Sequence, residues 1–191
     1  MRYRRTWVPG GTYFFTVNLA DRSQNLLTER IDLLRNALRE VRKGHPFGIP
    51  AMVILPDHLH CIWRLPEGDC AYATRWALIK STFSRQLQST EPISLSRHLK
   101  RERAIWQRRY KEHCIHDQDD LQRHIDYIHF NPVRHGYVTH PGDWPYSSLH
   151  RHIGQGLVPA DWTGEIMESQ PGLNAEQSRN RPFAIVGRLD E

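Results

Sequence analysis

The sequence predicts an α+β fold in which helices pack on an antiparallel sheet in a nearly ferredoxin-like arrangement, as a single domain with a C-terminal tail. Three observations predict it. Apolar patterning alternates strand-like runs with helical stripes in the order β-α-β-β-α-β-α, which an antiparallel sheet accommodates better than a parallel α/β fold. Two adjacent runs meet at Pro56-Asp57, a short turn pair that folds them into a hairpin. Finally, 191 residues with 39% hydrophobic and 10% aromatic content supply enough material for one packed core.

Tyr13 to Leu19 (YFFTVNL) is aromatic and β-branched and follows the turn signal Pro9-Gly10-Gly11, so it reads as a strand. A helix follows, with Thr28 as its cap and Ile31, Leu34, Leu38 and Val41 at helical spacing before Gly44 and Pro46 close it. Phe47 to Leu55 and His58 to Leu65 are the hairpin strands. Tyr72, Trp76, Ile79, Phe83 and Leu87 form a second helical stripe. Gln88 to Arg103 reads as an exposed basic connection, and Ile105 to Ile115 as another strand. A third helix begins near Asp117 with Leu121, Ile125 and Ile128 inward, and Asn131-Pro132 should end or kink it, because proline disfavours helical geometry in the residue before it. Residues 1–164 make the domain; residues 165–191 have few large apolar side chains and no clear period, and read as a mobile or surface-lying tail.

Charge and composition exclude several classes of function. No apolar run approaches the roughly 20 residues of a membrane-spanning helix; the longest pure stretch is Ala51 to Leu55. The N-terminus MRYRRTWVPGG has positive charge but no apolar segment or cleavage site after it, so the chain is expected to be cytoplasmic. Cys61, Cys70 and Cys114 are odd in number and at no metal-motif spacing, and read as reduced and structural. With 26 Lys and Arg against 21 Asp and Glu, the formal charge is +5 and the pI about 9.3, which suits a polyanionic partner.

The sharpest chemical feature is His58-Leu59-His60 within a strand, where alternate residues share a face about 7 Å apart along the backbone. In a chain with twelve histidines such a pair can arise by chance, but ILPDHLHCIW sets two polar rings inside an apolar strand, where burial needs compensation. Asp57 either orients a ligand imidazole or simply finishes the turn, and the turn is favoured. The second feature is Asp126-Tyr127-Ile128-His129-Phe130-Asn131-Pro132, in which Tyr127 and Asn131, four apart, share a helix face. His129 and Asp126 point elsewhere on that helix. His113, His116 and His124 have no spacing that separates them from solvated surface.

A His, bulky apolar residue, His triplet followed by a helix bearing Tyr and a polar residue four later resembles the single-tyrosine HUH transposases. Within them, ILPDHLHCIW, IWQRRYKEH, HIDYIHFNPVRHGYV and DWPYSSLHR, in that order, are similar to the REP-associated tyrosine transposases, over about Tyr3 to Gly164. The resemblance implies that His58 and His60 are metal ligands, that Tyr127 is the nucleophile and that Asn131 is the third ligand. It further implies Mg²⁺ or Mn²⁺ as cofactor, and single-stranded or hairpin DNA of the repetitive extragenic palindrome (REP) type as substrate and partner, cleaved through a 5′-phosphotyrosine.

The implied chemistry is physically sensible. A phenol with pKa near 10 is ionised in about one molecule per thousand at pH 7, a handicap of about 4 kcal/mol if the phenolate must attack. A divalent ion at the phosphate offsets charge build-up there, and imidazole-rich ligation suits Mn²⁺ better than Mg²⁺. The DNA surface is expected from Arg2, Arg4 and Arg5 in an N-terminal arm, and from Arg97, Lys100, Arg101 and Arg103 with Arg108, Arg109 and Lys111. Trp7, Trp106 and Trp144 are candidates for stacking on bases, although tryptophan is more often core. A hairpin-binding module without turnover and a metal-dependent phosphodiester hydrolase are the alternatives; two-histidine phosphoesterases carry two separate His-x-Thr/Ser motifs, and this chain has one His-x-His. The resemblance to the REP-associated members favours a monomer over a dimer, and no heptad seam in the sequence decides it.

Overall fold

A computed structural model describes residues 7–89, 93–100 and 102–164. Strand β1 (Thr12–Asn18) leads through α1 (Leu26–Glu29) and α2 (Ile31–Gly44) to β2 (Met52–Ile54) and β3 (His58–Arg64). Helices α3 (Tyr72–Arg85) and α4 (Leu95–Leu99) precede β4 (Lys111–Cys114); α5 (Gln118–Arg134), a 3-10 turn at Pro141–Asp143 and α6 (Leu149–Gly154) follow. The strands lie in the order β2-β3-β1-β4 with every pairing antiparallel. Each helical crossover skips one strand, which is the ferredoxin-like, split βαβ order.

Both faces of this sheet are covered, so β1 and β3 are buried nearly throughout and read as continuous apolar runs. Tyr13, Phe15 and Val17 with Leu59, Cys61 and Trp63 face the main core, built with Leu34, Leu38 and Val41 of α2 and Trp76, Ile79 and Phe83 of α3. The intervening residues Phe14 and Ile62 face α5, where Ile128 closes a smaller core. That alternation sends His58 and His60 to the α5 side of the sheet. The main core is held by aromatic stacking: Trp63 and Trp76 lie 4.1 Å apart at 16°. Trp63→Ala is expected to cost about 3–5 kcal/mol, read as a lower urea midpoint at unchanged slope.

Several elements differ from expectation. Thr28 does not cap the long helix; its hydroxyl donates to the Asn25 carbonyl at 3.0 Å inside the separate turn α1, and α2 starts at Ile31. The first hairpin strand is confined to Met52–Ile54, because Pro50 has no N–H to donate; Gly48 still exchanges backbone bonds with Arg64. The strand expected over Ile105 to Ile115 is only Lys111–Cys114, with Trp106 bridged to Leu19 before it. The basic connection contains α4.

Helix α5 begins where expected, the Asp117 carboxylate accepting the Asp120 N–H at 2.7 Å. It does not end at Asn131-Pro132, however, but runs on to Arg134 with Pro132 inside it. Proline removes one hydrogen bond in the last turn, and the His135 N–H still reaches the Asn131 carbonyl at 3.0 Å. Gly136, at φ 72°, then ends the helix in the left-handed conformation open to glycine. Residues 165–191, the expected tail, and Arg2, Arg4, Arg5 and Arg101 lie outside the described residues. Among the described residues, no helix is long and apolar enough to cross a membrane.

Candidate active site

The β1–β3 register sets the site. Thr16 stands opposite His60 and Asn18 opposite His58, so all four side chains belong to the sheet face that α5 covers. Thr16 Oγ1 lies 2.9 Å from His60 Nδ1, which fixes that ring. His58 donates from Nδ1 to Asp57 Oδ1 at 2.6 Å, and Arg22 Nε donates to the other oxygen of the same carboxylate at 2.6 Å. Asp57 thus orients the imidazole while also occupying the turn, where its carbonyl accepts the Leu19 N–H. The favoured sequence reading, turn alone, is too narrow. Burial alone would raise the Asp57 carboxyl, but the hydrogen bonds and charges of His58 and Arg22 outweigh it and hold the pKa at about 2. With Nδ1 engaged by the carboxylate, Nε2 is the His58 nitrogen left to face the site.

On the facing helix, Tyr127 and Asn131 share one side of α5, and His135 just beyond its end continues that line. The rings are close: His58 to His60 4.9 Å between centroids, His60 to Tyr127 5.2 Å, and His58 to His135 5.1 Å. Phe14 packs against His60 at 5.6 Å and against Tyr127 at 5.8 Å, forming the floor between them. The Arg134 guanidinium lies over the Tyr127 ring at 5.6 Å. Tyr127 is half-buried, whereas His58, His60 and Asn131 are fully buried.

The polar atoms of this site suit a divalent ion. His58 Nε2 and both side-chain amide atoms of Asn131 are buried with no hydrogen-bond partner among the described residues. Buried polar atoms left in this state cost free energy unless something else binds them. Burial, then repulsion from His58, His135 and Arg22, pushes the His60 pKa well below its ordinary value, so its imidazole is neutral and competent to ligate.

The structure thus brings His58, His60, Tyr127 and Asn131 together. It also brings to the same place residues that sequence reasoning did not single out, among them Thr16, Phe14, Arg22, Arg134 and His135. His129 faces away and bonds Ser148 Oγ at 2.9 Å.

The expected basic cluster divides in two. Arg97 donates to the Arg103 and Trp106 carbonyls, Arg103 to the Leu87 and Gln88 carbonyls, and Arg108 to Glu102 at 2.6 Å; these brace the segment around α4 against α3. Lys100, Arg109 and Lys111 are exposed. Lys111 stands opposite Thr16 in register, in the same cross-strand row as His60. Among the tryptophans, Trp106 is buried and Trp144 Nε1 donates to the Ile54 carbonyl, while Trp7 is half exposed and stacks on Tyr72 at 5.0 Å.

Comparison with known proteins points the same way. Residues 10–131 match the family described as "Transposase IS200 like", a span that holds His58, His60, Tyr127 and Asn131. The chain is 44% identical over 170 residues to the REP-associated tyrosine transposase of Escherichia coli, covering 89% of this chain and 95% of the relative. A Haemophilus influenzae relative is 47% identical over 163 residues, covering 85% and 93% respectively. A solved structure of a REP-associated tyrosine transposase bound to a REP hairpin superposes with a TM-score of 0.78 at 42% identity, covering 94% of this chain and 99% of that one.

Proposed function

This chain belongs to the IS200-like family of transposases, DNA nicking and joining enzymes, and on that premise we propose that it cleaves and rejoins single-stranded DNA at REP-type palindromic hairpins. The hairpin complex of the 42% identical relative supports that substrate class. The observation that carries the reading is the Tyr127 ring, 5.2 Å from the ring of His60 on the same chain. Because one chain supplies both, a monomer is sufficient for the reaction, and the cytoplasm, where its DNA lies, is the expected compartment.

In this reading the Tyr127 oxygen attacks the scissile phosphorus as its proton leaves. The bond from phosphorus to the 3′ oxygen breaks, that oxygen takes a proton, and a 5′-phosphotyrosine remains. Attack by another strand's 3′-hydroxyl reverses the step with no nucleotide cofactor, because the phosphotyrosine conserves the bond. His58, His60 and Asn131 are the residues to hold Mg²⁺ or Mn²⁺, which when bound polarises the phosphate and offsets its growing charge. Asp57 and Thr16 aim the two imidazoles, Phe14 supports the ring of Tyr127, and Arg134 and Lys111 offer positive charge to the DNA backbone on either side.

Labelled hairpin DNA incubated with Mn²⁺ or Mg²⁺ is the test: a denaturing gel should show a metal-dependent band shifted by covalent protein. The role of Asp57 is separately checkable. Asp57→Asn should weaken Mn²⁺ binding by about 10–100-fold, measured by titration calorimetry, because the amide no longer holds His58 in its ligating tautomer.

A further inference from the structure

A second histidine cluster lies apart from this site. His113 sits on β4, and Asp120 and His124 are four apart near the start of α5. His113 Nε2 is 2.8 Å from Asp120 Oδ2, and His124 Nδ1 is 3.1 Å from Asp120 Oδ1. The two imidazoles stack at 4.8 Å and 14°. One ligating atom from each of the three residues lies within 4.8 Å of the others, the only such group of His, Cys, Asp and Glu among the described residues. Phe14 separates it from the first site, with its ring 4.7 Å from His124 and 5.6 Å from His60.

We propose that His113, Asp120 and His124 form a second cation site, for a borderline transition-metal ion such as Zn²⁺, which clamps β4 to the helix that carries Tyr127. Two imidazoles and a carboxylate are a zinc-type donor set, whereas Mg²⁺ and Ca²⁺ favour oxygen alone. Ligands in a tetrahedral site with bonds of about 2.0–2.1 Å lie about 3.3 Å from one another, so atoms now within 4.8 Å need to close by at most about 1.5 Å. His113, with 41% of its side chain exposed, is the member with the most room to make these shifts. The ring of His116, 5.4 Å from that of His113, is a nearby further donor.

The protonation states agree. Burial lowers the His124 pKa against the opposing hydrogen bond between its Nδ1 and the Asp120 carbonyl at 2.8 Å, which leaves Nε2 as the nitrogen for an ion. Burial would raise the Asp120 carboxyl, but the His113 hydrogen bond and the His116 N–H outweigh it and keep it ionised. The cluster's own hydrogen bonds stabilise it without an ion, so the metal adds to a formed site rather than folding the chain.

The test uses full-length protein carrying His58→Ala and His60→Ala, which removes the first site whatever its role. Titration with Co²⁺ should give the visible absorption of a low-coordinate cobalt–imidazole site at one equivalent, displaced by Zn²⁺. A hundredfold excess of Zn²⁺ over its Kd should raise the melting temperature by about 5–10 °C. Adding His113→Gln, at a half-exposed position where folding is not at stake, should remove both signals. No cobalt band at millimolar Co²⁺, or a band that survives His113→Gln, overturns the proposal and leaves the reading of the first site untouched.

Discussion

Tyr127→Phe is expected to abolish the covalent protein–DNA adduct, a loss of at least about a thousandfold, while hairpin affinity stays within about twofold. The substitution removes one oxygen. The ring keeps its packing against Phe14 and His60 and its place beneath Arg134, so the fold and the DNA surface are unchanged. His58→Ala is expected to lose the adduct as well, through a different deficit: the residue bonded to Asp57 at 2.6 Å is gone, and with it one ion ligand. Both variants lose the band on a denaturing gel, and titration with Mn²⁺ distinguishes the nucleophile from the ion site: Tyr127→Phe keeps the parent's affinity for the ion, and His58→Ala loses it. Strand cleavage that persists in Tyr127→Phe and still needs the metal would instead make the chain a metal-dependent phosphodiester hydrolase. Hairpin binding by the parent protein with no adduct, across many palindromes and both ions, would make it a binding module.

The parts of this architecture that follow short local rules were legible in the sequence. The hairpin at Pro56-Asp57 and the two-residue period of any strand place His58 and His60 on one face without any coordinates. Tyr127 and Asn131 fall together by helical spacing alone. What the sequence hid depends on partners without a residue signature. Arg97 and Arg103 read as DNA-facing charge, but they donate to backbone carbonyls, which every residue carries.

His135 and Arg134 were hidden by a rule applied too strictly. Proline disfavours helix in the residue before it, yet at the last turn of α5 it removes only one bond, and the helix carries Arg134 over the tyrosine and His135 beside His58. The pair Asp120 and His124 is legible as helix neighbours, but His113 joins them only through the β1–β4 register, which pairs it with Phe14. The same register puts Lys111 in the row of His60. The long-range pairing of β1 with both β3 and β4 therefore assembles the candidate active site and the second cluster, which explains why neither could be completed from local pattern.

Stability should fall steeply as the pH drops below about 6.5, and His129 is expected to supply much of that slope. The imidazole is fully buried, and burial first, then repulsion from His152, Arg151 and His150, lowers its pKa from 6.5 to about 3. The folded state therefore holds the ring neutral while the unfolded chain binds a proton. Its contribution is complete above pH 6.5 and is lost by about 1.4 kcal/mol per pH unit as the pH falls towards 3, about 4–5 kcal/mol in all. Asp57 acts in a lower window, between 3.8 and about 2, as the carboxylate bonded to His58 and Arg22 is protonated. The measurement is urea unfolding at pH 7, 6, 5 and 4 for the parent and for His129→Gln, whose amide can still reach Ser148. Contributions from His60 and His124, also lowered by burial, are common to both proteins and cancel in the difference. Below about pH 6 the parent's advantage should shrink by about 1.4 kcal/mol for each unit of acidification, with a smaller loss between pH 7 and 6. Parallel curves would mean that His129 is protonated in the folded state, and that its bond to Ser148 rearranges rather than holding the neutral ring.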